Sequence, residues 1–415
     1  MIYSNVPLLF DRMFPHHLRA TISLPSSKSI CNRALIIAAL SGKQTQLQNL
    51  SDCDDTCVLV RALQSEAEEI NIMAAGTAMR FSTAYFASTP GTHIVTGTER
   101  MRQRPIGVLV EALRQLGADI SYVDAEGFPP LRVQGKPLKG GSISLPANVS
   151  SQYISALLMV GPTLAEGLHL HLEGTIISRP YIDMTISLMQ QFGARVEWTD
   201  EATISVAPQA YKPLKEFSVE SDWSAASYWY ELVALSPDSE ARIVLPYLFE
   251  DSLQGDSRIQ EFFRPLGVHT AFTPEGVVLT KMQADAPGVL RLDLSEQPDL
   301  AQTLVVTCAM LHQPFHFTGL QTLKIKETDR ITALRTELRK MGICVEEANN
   351  SELFCYDFTA TELPPNAFIS IDTYDDHRMA MAFAPCVYRY PQLRINHPEV
   401  VSKSYPTFWQ HLESL

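Results

Sequence analysis

One phrase recurs along this chain at a nearly constant interval, and it restricts the fold more than any other feature. A helix-like run ends in Leu, Phe or Met, a glycine follows, and then a short β-rich segment. The phrase reads LVEALRQLGADISYV, ISLMQQFGARVEWT, IQEFFRPLGVHTAF and LRTELRKMGICVEE. Its glycines, Gly117, Gly193, Gly267 and Gly342, are 76, 74 and 75 residues apart. A weaker relative, LVRALQSEAEEINIM, precedes them and lacks the glycine. Glycine can adopt the left-handed conformation that closes a helix and turns the chain into a strand. In EALRQLG and TELRKMG the apolar residues recur at three and four, as one buried helix face requires. DISYV and RVEW alternate as strands do.

A second helix series is interleaved with the first. It begins near Ser29, Thr77, Ser150, Asp222, Asp299 and Asp376, and the last four starts are 72, 77 and 77 residues apart. Runs such as SSQYISALLMVG, DLAQTLVVTCAML and DDHRMAMAFAPCV are almost wholly apolar, which predicts buried helices surrounded by sheets. Repeats at this period suggest six copies of one β-α-β-α-β unit. With 415 residues the chain exceeds what one core usually holds, so three copies per domain are expected in a two-domain α/β fold. The sixth copy lacks a contiguous sequence. The N-terminal strand and the C-terminal helix near SYPTFWQHLESL complete it in this reading. One domain is then discontinuous, residues 1–19 plus 240–415, and the other spans residues 20–239. The crossings are expected in HHLRAT and ALSPDSEAR, which are polar or turn-like.

The composition removes several classes. Hydrophobic residues make up 46% and charged residues 19%, a foldable globular balance. The formal net charge of -13 argues against a nucleic-acid partner. Seven cysteines, an odd number scattered through a long chain, fit a reducing compartment better than a disulfide framework. Cys53 and Cys57 have a ligand-like spacing but no second pair nearby, and a proline separates His312 from His316, so no metal is expected. The start MIYSNVPLLFDRMF has no basic segment followed by a long apolar one, and no stretch is long and apolar enough for a membrane span. The expected location is the cytoplasm.

Candidate chemistry is concentrated at the starts of the repeated helices. In SLPSSKSICNRALIIAAL, Lys28 lies at a helix start and Arg33 lies one turn beyond Ser29, a combination suited to an anion. In AAGTAMRFSTAYFA, Gly76 permits close backbone approach and Thr77 can cap the next helix. TGTERMRQRPIG places Arg100, Arg102 and Arg104 before Pro105, and arginine forks fit phosphate and carboxylate. Ser150, Ser151 and Gln152 open one buried helix, and Ser178, Arg179 and Tyr181 precede another. The second domain contributes Asp299, Lys326, Glu327, Asp329, Arg330, Asp376, His377, Arg378, Lys403 and Ser404. Acidic and basic groups alternate there, which points to anion contacts combined with proton transfer. Caps and structural ion pairs are the competing explanation for each segment.

In this order and spacing, SKS-x-x-NRA, GTAMR, RPIG, SSQ, KETDR and DHRMAM closely resemble the EPSP synthase (3-phosphoshikimate 1-carboxyvinyltransferase) family of enolpyruvyl transferases, through nearly the whole chain. The resemblance implies a two-domain inside-out α/β barrel built from six β-α-β-α-β-β units, helices inside and sheets outside, with the active site in the cleft between the domains. It implies transfer of enolpyruvyl from phosphoenolpyruvate to the 5-hydroxyl of shikimate 3-phosphate by a monomer that uses no metal and no organic cofactor. Residue by residue, Lys28 is expected to touch both substrates, and Ser29, Arg33 and Lys326 the shikimate part. Gly76 and Arg104 match the phosphoenolpyruvate contacts. Ser150, Ser151 and Ser178 match the 3-phosphate contacts, Gln152 reaches between the substrates, and Tyr181 borders the site. Asp299 faces the shikimate hydroxyls, and Glu327 is the acid near the enol carbon, with Lys28 competing for that role. Arg330 and Arg378 match binders of the phosphoenolpyruvate carboxylate and phosphate region, and Lys403 a further phosphate contact.

The chain departs from the family pattern in places. Ser27 and Ala74 replace a usual glycine and asparagine, the stretch from Glu66 to Met73 is short, and Thr322, Leu323 and Lys324 stand where many relatives have Asn-x-Arg. None removes a proton-transfer group. The sister transferase acting on UDP-N-acetylglucosamine is the nearest enzyme alternative, but TERMRQRPIG carries no cysteine and Lys28 is followed by Ser29, not Asn. A non-catalytic binder of phosphorylated metabolites is the alternative of a different class. Asp299, Glu327 and Lys28 argue against it.

Overall fold

The computed structural model describes residues 8–9, 17–42, 45–148, 150–358, 363–364 and 367–415. The chain divides into two compact units, an inserted unit, Ser26–Glu220, and a discontinuous unit, Met1–Pro25 with Ser221–Leu415. Among the described residues there are six sheets, three in each unit.

One sheet pattern recurs four times. In the inserted unit, Glu69–Asn71 runs parallel to Gly91–Thr96, which pairs antiparallel with Leu131–Gly135, and that strand with Asp119–Tyr122. Gly141–Pro146, Leu168–Glu173, Thr203–Val206 and Val196–Trp198 repeat the order. In the discontinuous unit it appears as Arg19–Thr21, Arg242–Leu245, Gly276–Lys281 and Val268–Thr273. It appears again as Leu290–Asp293, Phe315–Thr318, Glu352–Cys355 and Glu346–Ala348. Two smaller sheets complete the set. Glu216–Ser218 lies parallel to Gln46–Gln48, and Ile369–Ile371 lies parallel to Leu393–Ile395. The other edge of Leu393–Ile395 takes Leu8–Leu9, with Leu8 opposite Ile395. The N-terminal strand thus completes the sixth copy as expected, and the last helix, Phe408–Glu413, adds Phe408, Trp409 and Leu412 to the same unit's core.

The periodicities explain these positions. Each repeat glycine has positive φ, +102° at Gly117, +78° at Gly193, +92° at Gly267 and +78° at Gly342. Each ends a helix and leads into a strand paired with the last strand of its sheet, because a residue with a Cβ is disfavoured at that turn. Leu168–Glu173 alternates strictly, burying Leu168, Leu170 and Leu172 and exposing the residues between. Helix Ser151–Val160 buries every residue from Tyr153 to Val160, and Ala301–Leu311 buries Ala301 through Met310. Helices with no polar face need cover all round, and the one-sided sheets provide it. Each fully buried Leu or Ile in these helices contributes about 1.5–3 kcal/mol.

The crossings are not where the polar turns suggested. They fall at Pro25–Ser26 and Glu220–Ser221, rather than near residues 19–20 and 239–240. The cause is an exchange of strands. Arg19–Thr21 precedes the inserted unit's first helix but pairs with Arg242–Leu245 of the discontinuous unit. Glu216–Ser218 precedes helix Trp223–Leu235 but pairs with Gln46–Gln48 of the inserted unit. Each crossing follows its exchanged strand. Helix Trp223–Leu235, expected in the 20–239 domain, buries Trp223, Trp229 and Tyr230 in the core of the discontinuous unit. No described helix is long and apolar enough to cross a membrane.

Candidate active-site residues

In the inserted unit, helix Lys28–Leu40 is capped by Ser27, whose hydroxyl accepts from the Ile30 amide. Lys28 therefore opens the first turn, and its Nζ lies 3.1 Å from Asp55 Oδ2. Arg33 is 2% exposed. Its Nε donates to Thr185 Oγ1 at 2.7 Å, its Nη1 to the Ser29 carbonyl at 2.9 Å, and its Nη2 to Ser155 Oγ at 3.0 Å and the Tyr181 carbonyl at 3.3 Å. The Phe81 ring lies 5.4 Å from the guanidinium carbon. Burial pulls the Arg33 pKa down to about 10, against a smaller opposing effect of Tyr181. Arg33, expected as a substrate contact, also fixes Ser29 and Tyr181 by their carbonyl groups.

Helix Gly76–Ser88 begins two residues earlier than a Thr77 cap requires, because Ala75 occupies the capping position. The Thr77 hydroxyl instead accepts from Gln152 Nε2 at 3.1 Å, joining two of the predicted segments. Arg104 lies directly against Gly76, where an added Cβ would sit 2.7 Å from Nη1. The buried Arg104 Nε has no hydrogen-bond partner. The three arginines of this segment diverge: Arg102 is exposed and donates to the Gly97 carbonyl at 3.3 Å, whereas Arg104 turns to Gly76. Sequence reasoning gave no role to Arg80. It is buried, and it donates to the Gly76 carbonyl at 3.0 Å and the Pro105 carbonyl at 3.2 Å. Tyr153 Oη donates to the same Pro105 carbonyl at 2.6 Å. Together they brace the Pro105 carbonyl next to Arg104, and Arg80 also holds the Gly76 carbonyl of the turn that Arg104 lies against.

Ser150 caps helix Ser151–Val160 by accepting from the Gln152 amide, and Ser151 occupies the first turn. Ser178 precedes helix Arg179–Gln191 in the left-handed conformation, φ 57°, and makes no side-chain cap bond. Its hydroxyl is thus not used to close the helix. Arg179 turns the other way, its guanidinium carbon 4.2 Å from the Trp198 ring centroid.

The discontinuous unit builds its set around Arg330, which is 2% exposed and opens helix Arg330–Lys340. Its Nε and Nη2 donate to Asp376 at 2.6 and 3.3 Å. Nη2 also donates to Glu327 Oε2 at 3.0 Å, and Nη1 to Asp299 Oδ1 at 3.2 Å. Burial opposes the charge, but Asp376, then Glu327 and Asp299, outweigh it and raise the Arg330 pKa. Four further contacts extend the lattice. Lys403 Nζ donates to Glu327 Oε1 at 2.8 Å, and Lys326 Nζ lies 3.5 Å from Asp299 Oδ1. Arg378 Nη2 donates to Asp299 Oδ2 at 2.8 Å, and its Nη1 to the Asp299 carbonyl at 3.2 Å. Asp299 sits in the short turn Pro298–Leu300, whereas Asp376 caps helix His377–Phe383 through the Arg378 amide.

Asp256 escaped the sequence reading. It is buried in the turn Gly255–Arg258 and accepts the Ser224 hydroxyl. Burial first, and Asp299 second, push its pKa up to about 7, with Ser224 opposing. Tyr228, also missed, is pushed up to about 12 by burial, against the pull of Arg378 and Arg330. Both are single polar residues in otherwise unremarkable segments. The only local signal was the Gln254-Gly255-Asp256 turn between a strand and a helix. Among the described residues no three His, Cys, Asp or Glu side chains are grouped to hold a metal ion, and Cys53 is buried with its thiol pushed up by that burial.

A family model described as EPSP synthase (3-phosphoshikimate 1-carboxyvinyltransferase) matches residues 14–70 and 58–412. The chain is 57% identical over 400 residues to a 3-phosphoshikimate 1-carboxyvinyltransferase of Bacteroides fragilis, covering 96% of this chain and 95% of the relative. It is 34% identical over 423 residues to one from Shewanella pealeana, covering 95% and 96%. Among solved structures, EPSP synthase from Acinetobacter baumannii superposes with a TM-score of 0.73 at 19% identity, covering 97% of each chain. An enolpyruvyl transferase from Streptomyces tendae superposes with a TM-score of 0.72 at 14% identity, covering 99% of this chain and 97% of that one. At these identities the two structures establish the two-domain α/β fold with its repeated units.

Proposed function

The chain belongs to the EPSP synthase family, and from that premise we propose that it transfers the enolpyruvyl group of phosphoenolpyruvate to the 5-hydroxyl of shikimate 3-phosphate, releasing phosphate. The observation that carries this reading is the bracket of Asp299 and Glu327 on one buried arginine, 3.2 and 3.0 Å from its nitrogens. Addition of a hydroxyl to an enol ester needs one group to take the hydroxyl proton and another to deliver a proton to the methylene carbon. Two carboxylates held apart on a rigid cation can divide that work.

In this reading Asp299 accepts or orients the 5-hydroxyl proton. Glu327 protonates the methylene carbon, with Lys28 the competing donor, and the neighbouring carbon becomes the electrophile. The hydroxyl oxygen bonds to it, giving a tetrahedral adduct. Return of the methyl proton to the base and cleavage of the C–O bond to phosphate then restore the double bond. No covalent bond to the protein forms. Ser150, Ser151 and Ser178 hold the 3-phosphate, a role that the uncommitted Ser178 hydroxyl supports. Ser29, Arg33 and Lys326 meet the shikimate part, Gln152 reaches between the substrates, and Tyr181 lines the same region. Arg104 grips phosphoenolpyruvate against Gly76, supported by its buried, unpartnered Nε. Arg378 and Lys403 stabilise the leaving phosphate. Arg330 fixes the two carboxylates, and the phosphoenolpyruvate carboxylate exchanges for one of its present partners. The family resemblance carries the remaining expectations, a monomer working in the cytoplasm.

The decisive assay follows phosphate release with both substrates present. Turnover with shikimate 3-phosphate, and none with UDP-N-acetylglucosamine as acceptor, is the expected result. Binding of shikimate 3-phosphate without phosphate release would favour the non-catalytic alternative.

A further inference from the structure

We propose that Tyr356 is a nucleophilic tyrosine, an acceptor site for activated acyl groups, set on the exposed face of the sheet formed by Leu290–Asp293, Phe315–Thr318, Glu352–Cys355 and Glu346–Ala348. The register creates the arrangement. His316 stands opposite Phe354 in an antiparallel pair, so Glu352, two residues before Phe354, and Tyr356, two after it, lie on either side of the imidazole. Glu352 Oε2 is 2.7 Å from His316 Nε2, and Tyr356 Oη is 2.8 Å from Nδ1. From the strand on the other side, Arg291 stands opposite His316 and brings Nη1 to 3.0 Å from the same Nδ1.

The hydrogen-bond logic assigns the protons. An ionised carboxylate only accepts, so Nε2 carries the imidazole hydrogen, and Nδ1 presents one lone pair that the Tyr356 hydroxyl at 2.8 Å and Arg291 Nη1 at 3.0 Å share as donors. Asn349 donates to the other Glu352 oxygen at 2.7 Å, and Asn349 and His316 together hold the Glu352 pKa below its usual value. The Phe354 ring stacks on Tyr356 with centroids 5.1 Å apart and fixes the phenol over the base. Nucleophile, base and orienting carboxylate are thus in line, and as the proton moves to Nδ1 the Arg291 guanidinium turns from that nitrogen to the phenolic oxygen, where it meets the developing negative charge. None of these four residues belongs to the enolpyruvyl-transfer set. In the reaction, the phenolic oxygen bonds to the acyl carbon while its proton passes to His316 Nδ1. The bond from acyl carbon to leaving group breaks, and the leaving group departs with that electron pair and takes up the proton. The products are a tyrosyl ester and the protonated leaving group.

N-Acetylimidazole in limiting amount tests this, with peptide mass spectrometry following each tyrosine in the full chain. Tyr247 is the internal reference. It is 68% exposed against 47% for Tyr356, and among the described residues no imidazole lies within hydrogen-bonding reach of it. General-base assistance predicts that Tyr356 is acetylated at least about tenfold faster than Tyr247. His316→Asn should bring Tyr356 down to the rate of Tyr247 or below, and Glu352→Gln should lower it severalfold, both with unchanged enolpyruvyl transfer as proof of an intact fold. If the cluster is only a satisfied surface network, Tyr356 will react more slowly than Tyr247, because its hydroxyl is tied up and less exposed. That result overturns the proposal, as does an undiminished Tyr356 rate in folded His316→Asn. The wild-type comparison decides alone if the variant does not fold.

Discussion

Arg33 and Arg330 are equally buried, yet they are held in opposite ways. Arg33, in the inserted unit, is bound by two hydroxyls and two carbonyls. Arg330, in the discontinuous unit, is bound by three carboxylates. Burial pulls the first pKa down, whereas in the second the surrounding charges win. The same unit carries Lys28, Arg104 and several hydroxyls at its helix starts, with Asp55 on Lys28 as a paired carboxylate. A set of helix starts richer in cations and hydroxyls than in carboxylates suits anion capture. Around Arg330 the charges alternate and nearly cancel. That region suits carboxylates which must hold a fixed position and exchange protons. One buried arginine is held by neutral groups, and the other orders three of the protein's own carboxylates.

The largest expected effect separates these two roles. Arg330→Met leaves Asp376, Glu327 and Asp299 facing one another in a desolvated space, and should destabilise the discontinuous unit by about 3–5 kcal/mol. Arg33→Met leaves only neutral acceptors unpaired and should lose about 1–3 kcal/mol. Urea unfolding of both variants provides the measurement. Equal losses would break the distinction.

The second test uses pH. The folded pKa of Asp256, about 7, lies above its ordinary 3.8. A raised acid contributes stability that is fully present below pH 3.8 and is lost as pH rises through about 7. The loss is on the order of 4 kcal/mol at most, at about 1.4 kcal/mol per pKa unit, before the lattice relaxes. Asp256→Asn should therefore flatten the stability profile between these limits, so that the variant gains on wild type as the pH is raised from acid to neutral. Parallel profiles in denaturant titrations would remove Asp256 from the charge-balanced set.

Third in size is catalysis. Glu327→Gln keeps the shape of the Arg330 lattice but removes the carboxyl proposed to transfer the proton, so turnover should fall at least about 100-fold with substrate binding largely preserved. Asp299→Asn should slow addition and also weaken shikimate 3-phosphate binding, because Asp299 is tied to Lys326 as well as to Arg330 and Arg378. Unchanged turnover in Glu327→Gln would mean that the lattice is only structural.

How much of this was legible follows from which facts are local. The repeat was legible because a helix-ending glycine is a local requirement that recurs, and so was the completion of the sixth sheet. The crossings were not, since the pairing of Arg19–Thr21 and Glu216–Ser218 is decided by strands more than 150 residues away in sequence. Motif residues at helix starts stood out as a set, but which of them spend their donors on the protein was hidden. Arg33 and Arg330 look alike in sequence. Asp55 shares its segment with Asp52 and Asp54, and nothing there singles out the one that meets Lys28. Thr77 resembled a cap because its chemistry fits one. The helix starts two residues earlier and leaves the hydroxyl to Gln152.

The smallest effect tests the anion-capturing side at its tightest point. An alanine Cβ at Gly76 would lie 2.7 Å from Arg104 Nη1 and 3.0 Å from Nη2, closer than side-chain contacts allow. The obstructing atoms are the end of a flexible side chain, not backbone, so the fold can yield by swinging the guanidinium away. Gly76 opens a helix and is not at positive φ, so alanine brings no backbone strain and is the better helix former. Gly76→Ala should therefore leave unfolding stability unchanged or slightly raised. Arg104, displaced from its braced position, should bind phosphoenolpyruvate more weakly. A rise of about tenfold in KM for phosphoenolpyruvate corresponds to about 1.4 kcal/mol, with kcat and KM for shikimate 3-phosphate changing far less. Arg104→Ala in the same background supplies the control. If Gly76 acts through Arg104, the two substitutions together should raise KM no more than Arg104→Ala alone, since a displaced group cannot be lost twice. Additive effects would show that Gly76 meets the substrate by its own backbone, and Arg104 would then be one cation among several.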